Sequence, residues 1–257
     1  MDVWESTPRL SFISPEPSSG KTRALEVTAP VVPRPIEAIN TTPAYLFRKV
    51  SDPAGLPTIL YDEIDTIFGP KAKEHEDMRA LINAGHRRGA SAGRCVVKGR
   101  RIETEELPAY AAVALAGIGH LPDTILTRSI VVRMRRRAST EIIEPYRLRI
   151  HAPEGHALRA RLATWAAQIR PTISVADEMP PEVTDRNADC WEALLALADA
   201  AGGNWPTLAR VAAVALVADS QAATPSLGIL LLHDLHEAFD GEDTMTTDAI
   251  LQVPNNK

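Results

Sequence analysis

The sequence predicts an α/β protein in which a parallel five-stranded sheet, interrupted by a β-hairpin insertion, is followed by an all-helical domain. Short β-like runs alternate with helical segments over about the first 140 residues, which is the pattern of a parallel sheet. After Glu144 and Pro145 the chain changes, and segments rich in Ala, Leu and Trp follow at helical spacing.

The expected sheet strands are Arg9–Ser14, Ile36–Asn40, Thr58–Tyr61, Ala111–Ala116 and Ile130–Met134. Helices are expected between them at Lys21–Ala29, Pro43–Val50 and Glu74–Arg88. Thr42 followed by Pro43 is a typical helix start, because threonine caps and proline suits the first helical position. Alternating apolar and charged residues around Gly99 predict a hairpin over residues 93–107, between the third helix and the fourth strand.

We therefore expect a core domain over residues 1–140, a helical lid over 141–240 and a truncated tail over 241–257. The expected lid helices are Glu154–Arg170, Ala188–Ala201, Pro206–Ala222 and Ser226–Phe239. A helical pattern that begins at Thr246 is interrupted by Pro254, and little sequence precedes the first strand. Both observations suggest a trimmed copy of a larger protein.

The composition, 45% hydrophobic and 24% charged, is ordinary for a globular protein. Cys95 and Cys190 lie far apart without neighbouring metal ligands, so neither a disulfide framework nor a zinc site is predicted. No signal peptide is recognisable, and no apolar run approaches the roughly 18 residues of a membrane span. These features predict a cytoplasmic protein.

The charge is unevenly distributed. The net charge of -5 argues against a uniformly basic nucleic-acid binder. Between Arg79 and Arg101, however, seven residues are basic and none is acidic, and a second basic cluster follows at Arg133–Arg137. Local basic patches suit phosphate backbones, although solvated faces would have the same pattern.

The stretch SFISPEPSSGKTRALEV joins the first expected strand to the first helix. The phosphate-loop signature G-x-x-x-x-G-K-[ST] would have its first glycine where this sequence has Pro15. Gly20 permits the tight turn, Lys21 can reach phosphate oxygens, and the Thr22 hydroxyl can bind magnesium. The alternative is a chance GKT. The candidate nucleotide-binding residues are Ser18, Ser19, Gly20, Lys21 and Thr22.

The stretch TILYDEID contains a buried-strand pattern that ends in Asp62 and Glu63. Such an acidic pair after a strand suits a nucleotide hydrolase, in which Asp62 would hold magnesium and Glu63 would act as general base. A solvated strand end is the alternative. The acidic pair lies one strand beyond the GKT unit, and this position favours the hydrolase interpretation.

The stretch AVALAGIGHLPDTILTRSIVVRMRRR completes a resemblance to the AAA+ ATPases, the ring-forming P-loop enzymes with an additional catalytic glutamate. The resemblance implies an arginine that reaches the neighbouring subunit's site, and Arg128 matches its position before the last strand. The alternative is a surface arginine on a short helix. The family's polar sensor, usually Asn, is not matched, because Gly117, Gly119 and His120 stand there.

A hairpin before the fourth strand resembles the insertion of replicative AAA+ helicases, whose basic tip follows DNA through the ring pore. The resemblance implies DNA-binding roles for Lys98, Arg100 and Arg101. An ordinary exposed hairpin remains the alternative. The lid of AAA+ proteins often supplies a second sensing arginine, and Arg186 is the candidate here.

The phrases TPAYLFRKVSDPAGLPTILYDEIDTIFG, LINAGHRRGA and NADCWEALLALADAAGGNWP resemble an uncharacterised P-loop family of actinobacterial genomes, prophages and plasmids. Its members are often the ATPase half of primase- or replication-like proteins. Their loop usually reads PEPGSGKT, so Ser18 stands where glycine is usual.

The function that these resemblances imply is ATP hydrolysis with Mg²⁺, coupled to DNA translocation by a homo-oligomeric ring in phage or plasmid replication, with a primase or replication protein as a possible partner. Its catalytic residues would be Lys21, Glu63 and Arg128, and its magnesium ligands Thr22 and Asp62. The alternatives are a truncated remnant that binds nucleotide or DNA without turnover and, less favoured, a small-molecule kinase.

Overall fold

The computed structural model describes residues 3–38, 41–68, 75–99, 101–119, 121–176, 178–221, 227–239 and 241–251. Its strands are β1 Arg9–Ser14, β2 Pro35–Glu37, β3 Thr58–Tyr61, β4 Ser91–Lys98, β5 Arg101–Pro108, β6 Ala112–Ile118 and β7 Ser129–Arg133. Its helices are α1 Lys21–Thr28, α2 Pro43–Val50, α3 Ile64–Phe68, α4 Glu76–Ala84, α5 Asp123–Leu126, α6 Leu148–Ile169, α7 Asp185–Ala201, α8 Trp205–Gln221, α9 Leu227–Phe239 and α10 Thr247–Leu251.

Five strands form an all-parallel sheet in the order β2-β3-β6-β1-β7, while β4 and β5 form a separate antiparallel hairpin. The predicted α/β architecture with a five-stranded parallel sheet is therefore confirmed. Strand β6 lies between β1 and β3 and pairs with both, Ala114 being opposite Leu10 on one side and Leu60 on the other. Strands that are distant in sequence thus end side by side.

The sheet buries a different set of side chains on each face, as the period of two along a strand requires. On one face, Ala114 and Ala116 of β6 pack with Leu25 of α1 in a small cluster. On the opposite face, Val113 and Leu115 of β6 belong to the large core cluster, which also contains buried residues of α2, α3, α4 and α5. The connection after β1 therefore covers one face, and the connection after β6 covers the other.

The division of the helices between the faces makes β1 and β6 a topological switch point. Adjacent parallel strands whose outgoing connections go to opposite faces leave a crevice at their carboxyl ends, and ligands of open α/β sheets bind in such crevices. The fold thus creates a crevice beside the loop that joins β1 to α1, residues 15–20, here called the β1–α1 loop.

The chain divides into two compact units, Met1–Val217 and Ala218–Lys257. In the first unit, Cys190, Trp191 and Leu195 of α7 pack with Ala213 and Val217 of α8. The domain boundaries expected near residues 140 and 240 stay predictions. No helix within the described ranges is long and apolar enough to cross a membrane.

Several elements differ from expectation. The helix expected over Glu74–Arg88 is the shorter α4. Gly85 follows it as the C-cap, and only glycine fits there, because a Cβ would lie 2.2 Å from the Ala109 carbonyl oxygen. Helix α3 was not predicted. Helix α6 starts at Leu148, six residues before the expected start at Glu154, and includes Pro153, which has no N–H to donate to the carbonyl four residues earlier.

Candidate functional site

A cleft of about 670 Å³ lies at the carboxyl ends of β1, β3 and β6, and we call it the GKT cleft. It brings together segments that are far apart in sequence. Its lining consists of Pro17, Ser18, Ser19, Gly20, Lys21 and Thr22 of the β1–α1 connection, Arg23 and Glu26 of α1, Asp62, Glu63, Asp65 and Thr66 after β3, and Gly117 and Ile118 at the end of β6. The sequence-predicted nucleotide and magnesium residues, other than Arg186, thus share one cleft.

The Lys21 side chain is held inside its own loop. Its Nζ donates to the Glu16 carbonyl oxygen at 3.0 Å and to the Ser19 hydroxyl at 2.9 Å. Lys21 and Ser19 are only 8% and 7% exposed. The Glu16 N–H in turn donates to the Ser14 hydroxyl at 3.1 Å. The loop is therefore closed around the lysine by hydrogen bonds of its own atoms.

The backbone N–H groups of this loop are available to an anion. No described residue accepts a hydrogen bond from the N–H groups of Ser18 to Thr22. Gly20 is the N-cap of the eight-residue helix α1 and has φ 88, which only glycine adopts without strain. Ser18 has φ 60, a left-handed conformation in which a serine is strained. The loop combines free donors with the positive end of a helix.

Arg136 fixes the loop from outside. Its Nε donates to the Pro17 carbonyl oxygen at 2.9 Å and pairs with the Glu16 carboxylate at 3.2 Å. The segment after β7 stays beside β1, because the Met134 N–H donates to the Ile13 carbonyl oxygen at 2.7 Å. Part of the second basic cluster therefore contacts the loop.

The two acidic residues after β3 adopt a tight turn into α3. The Glu63 N–H donates to Asp62 Oδ1 at 2.9 Å, and the Glu63 carbonyl accepts from the Thr66 hydroxyl at 2.8 Å. Glu63 has φ 55, so its backbone is also left-handed. A strained non-glycine residue held by its surroundings is a frequent feature of functional sites.

The end of β6 carries no polar side chain at Gly117, where the resemblance would have a sensor. A Cβ on Gly117 would lie 2.6 Å from Ile64 Cγ2 and 3.1 Å from Asp65 Oδ1, so the start of α3 needs glycine there. Asp65 Oδ1 instead accepts from the Ile118 N–H at 3.0 Å. Sequence reasoning missed Asp65, although it lies only two residues after Glu63, in the first turn of α3. His120 lies outside the described residues.

Arg128 and Arg186 lie in a different cleft of about 610 Å³, which we call the Arg128 cleft. Arg128 precedes β7, at the amino edge of the sheet, whereas the GKT cleft is at the carboxyl edge. Burial, and secondly the nearby Arg186 charge, lower the pKa of Arg128. Arg186 is therefore not beside the GKT residues of its own chain, where a lid arginine was expected; it lies with Arg128 instead.

The strands β4 and β5 pair as an antiparallel hairpin whose register sets which residues lie next to the turn. In this register Lys98 is opposite Arg101 next to the turn, and Arg94, further from the turn, is opposite Glu105. Arg100 lies outside the described residues. The apolar pair next to the tip, Val97 and Ile102, is 74% exposed at both residues.

Comparison with known proteins adds relatives but no function. Residues 133–257 match a family described as protein of unknown function (DUF3631). The chain is 43% identical over 125 residues to an uncharacterised 28.9 kDa protein in the xis 5′ region of Saccharopolyspora erythraea. The aligned residues cover 48% of this chain and 47% of the relative. The chain thus spans about half the length of this curated relative. All residues of the GKT cleft precede the matched family region.

Proposed function

We propose that the chain is a magnesium-dependent ATPase of the AAA+ type that binds ATP in the GKT cleft. The observation that carries the proposal is the meeting of the GKT loop with the Asp62–Glu63 pair in one cleft at the sheet's switch point. Two independent sequence signals, separated by some forty residues, would rarely converge there by chance.

Phosphate binding is supported by the chemistry of the loop. The free N–H groups of Ser18 to Thr22 and the start of α1 would bind phosphate oxygens. Lys21 would exchange its hydrogen bond to the neutral Glu16 carbonyl for a stronger one to phosphate, in which both partners are charged. The loop therefore suits a triphosphate despite Pro15 and Ser18.

The oxygen ligands that Mg²⁺ prefers are present in the same cleft, as the hydroxyl of Thr22 and the carboxylate of Asp62. When bound, the ion would neutralise phosphate charge. Glu63 would accept a proton from the attacking water, and its left-handed backbone is consistent with a residue held in one orientation.

Arg128 would complete the site of a neighbouring copy, which makes the proposed active form a homo-oligomeric ring. The support is its location at the opposite edge of the sheet from the GKT cleft of its own chain. An arginine supplied in trans stabilises the charge on the transferred phosphoryl group. Arg186, which shares the Arg128 cleft, would face the same neighbour.

We further propose that hydrolysis drives DNA binding and translocation, helicase-like, in phage or plasmid replication, with a primase or replication protein as partner. The cationic hairpin tip supports the DNA part, since basic tips suit phosphate backbones. The replication setting rests on the sequence resemblance; the name of the relative, which refers to a xis 5′ region, agrees with a mobile element.

A remnant that binds nucleotide without turnover is the second candidate. It is favoured by the glycine at position 117, which leaves the end of β6 without a polar side chain in the cleft. ATP turnover, measured with and without single-stranded DNA and beside light scattering for assembly, separates the two. An assembled protein that binds ATP but releases no phosphate would be the remnant.

A further inference from the structure

Three side chains beside the GKT cleft form a layered group. The guanidinium carbon of Arg23 lies 5.3 Å from the ring centroid of Tyr146, and that ring stacks on His151 with centroids 5.2 Å apart and planes inclined by 20°. The Tyr146 hydroxyl donates to the Glu26 carbonyl oxygen at 3.3 Å. Arg23 forms an ion pair with the Glu26 carboxylate.

The group continues the cleft away from the phosphate end. Arg23 directly follows Thr22, and Glu26 lies about one helical turn further along α1; both line the cleft. A triphosphate bound at residues 18–22 would therefore have its nucleoside within reach of the first turn of α1. Arg23 belongs to both the cleft and the layered group.

The chemistry of the group suits a nucleobase. The planar guanidinium of arginine stacks on base faces, and here it is itself held over an aromatic ring by cation–π attraction. His151 is oriented as well, because its Nδ1 lies within hydrogen-bond distance of the Arg147 backbone, 2.8 Å from the nitrogen and 3.0 Å from the carbonyl oxygen. An arginine positioned in this way offers a flat, charged surface at little further cost in side-chain entropy.

We propose that Arg23, supported by Tyr146 and His151, is the nucleobase subsite of the GKT cleft. The inference rests on the proposed nucleotide-binding function and adds to it the residues that contact the base. It also assigns a role to the segment between β7 and α6. That segment contacts the phosphate end through Arg136 and the base end through Tyr146.

The test compares a ligand that has a nucleoside with one that lacks it. Binding of MgATP and of magnesium tripolyphosphate, which lacks the nucleoside, is measured by calorimetry for the parent, Arg23→Ala and Tyr146→Ala. Both variants should weaken MgATP binding about tenfold more than tripolyphosphate binding, because stacking on a base is typically worth a five- to hundredfold change in affinity. Tyr146→Ala, which changes no charge, should leave tripolyphosphate binding unchanged. The affinity for MgGTP should fall by a similar factor in both variants, since every base has a π-face.

The matched control is Tyr45→Ala. Tyr45 is also a surface tyrosine beneath a cation, with Lys49 at 5.7 Å from its ring centroid, but it lies on α2 away from the cleft. Its removal should change neither affinity. Arg23 is exposed, so its variant keeps the test decisive if Tyr146→Ala fails to fold.

The outcomes separate the subsite from the proposed function. A parent that binds neither ligand contradicts nucleotide binding itself. A parent that binds both, with Arg23→Ala weakening both by the same factor or neither, overturns the nucleobase subsite and leaves the phosphate site standing.

Discussion

The Nζ atom of Lys21 donates a hydrogen bond to the carbonyl oxygen of Glu16 at 3.0 Å, across the loop that both residues belong to. The Glu16 carboxylate pairs with Arg136, so the lysine and the segment after β7 are connected through one residue. A loop tied in this way is folded without a ligand. The proposed binding of a phosphate would then cost little ordering of the backbone, which would favour affinity.

The Ser18→Gly variant should be more stable than the parent. Ser18 has φ 60, and a left-handed backbone costs a non-glycine residue roughly 1–2 kcal/mol. Glycine avoids this strain but loses more conformational entropy on folding, which offsets about 0.5–1 kcal/mol of the gain. The expected gain in the free energy of unfolding is about 0.5–1 kcal/mol, measured by urea denaturation. Ser18→Ala, which keeps the Cβ, should gain nothing; equal stability of the two variants would show that no strain is relieved.

Glu63→Gln should bind MgATP like the parent and lose turnover by about a hundredfold or more, because removal of a general base typically costs that factor. Phosphate release and calorimetric affinity are measured together. Glu37→Gln changes an exposed glutamate on β2 and is the matched control. Unreduced turnover in Glu63→Gln would assign the base elsewhere.

Arg128→Ala should retain ATP binding and lose turnover, because Arg128 lies outside the GKT cleft of its own chain. Mixing it with Lys21→Ala should restore part of the activity, since some interfaces then combine an intact loop with an intact arginine. The mixtures are assayed for phosphate release at several ratios. Absence of rescue in a protein that assembles would contradict an arginine acting in trans.

Neutralising Lys98, Arg100 and Arg101 should weaken single-stranded DNA binding equally across sequences, because phosphate contacts carry no base information. The slope of log affinity against log salt should become shallower by about 0.7 for each phosphate that the variant no longer neutralises. A variant that neutralises the exposed Arg48, Arg149 and Arg161 is the control with the same charge change. An unchanged slope in the hairpin variant would leave the tip a solvated surface.

The sequence predicted the elements whose signals are local. Strands β1 and β3 and helix α2 have the predicted bounds, because buried apolar runs and a capping residue mark them directly. The Thr42 hydroxyl accepts from the Tyr45 N–H at 3.4 Å, as a cap of α2 should. The GKT stretch and the acidic pair are likewise short motifs, and the structure brings both into one cleft.

Contacts that depend on the order of the strands in the sheet could not be predicted from the sequence. Gly117 accommodates Ile64 only because β6 lies beside β3, and Arg136 reaches Pro17 only because β7 lies beside β1. Neither pairing has a local sequence signal. The separation of Arg186 from the GKT cleft has the same origin, since its location depends on where α7 packs and not on the sequence of α7 alone.

The most direct test of nucleotide binding in the GKT cleft is a calorimetric titration of MgATP into the parent, Lys21→Ala and Lys49→Ala. Lys49 is a lysine of α2 outside the cleft and serves as the control. The parent and Lys49→Ala should bind with equal affinity, and a folded Lys21→Ala should give no binding heat. Binding of MgATP to Lys21→Ala as tight as to the parent would contradict the proposed phosphate site.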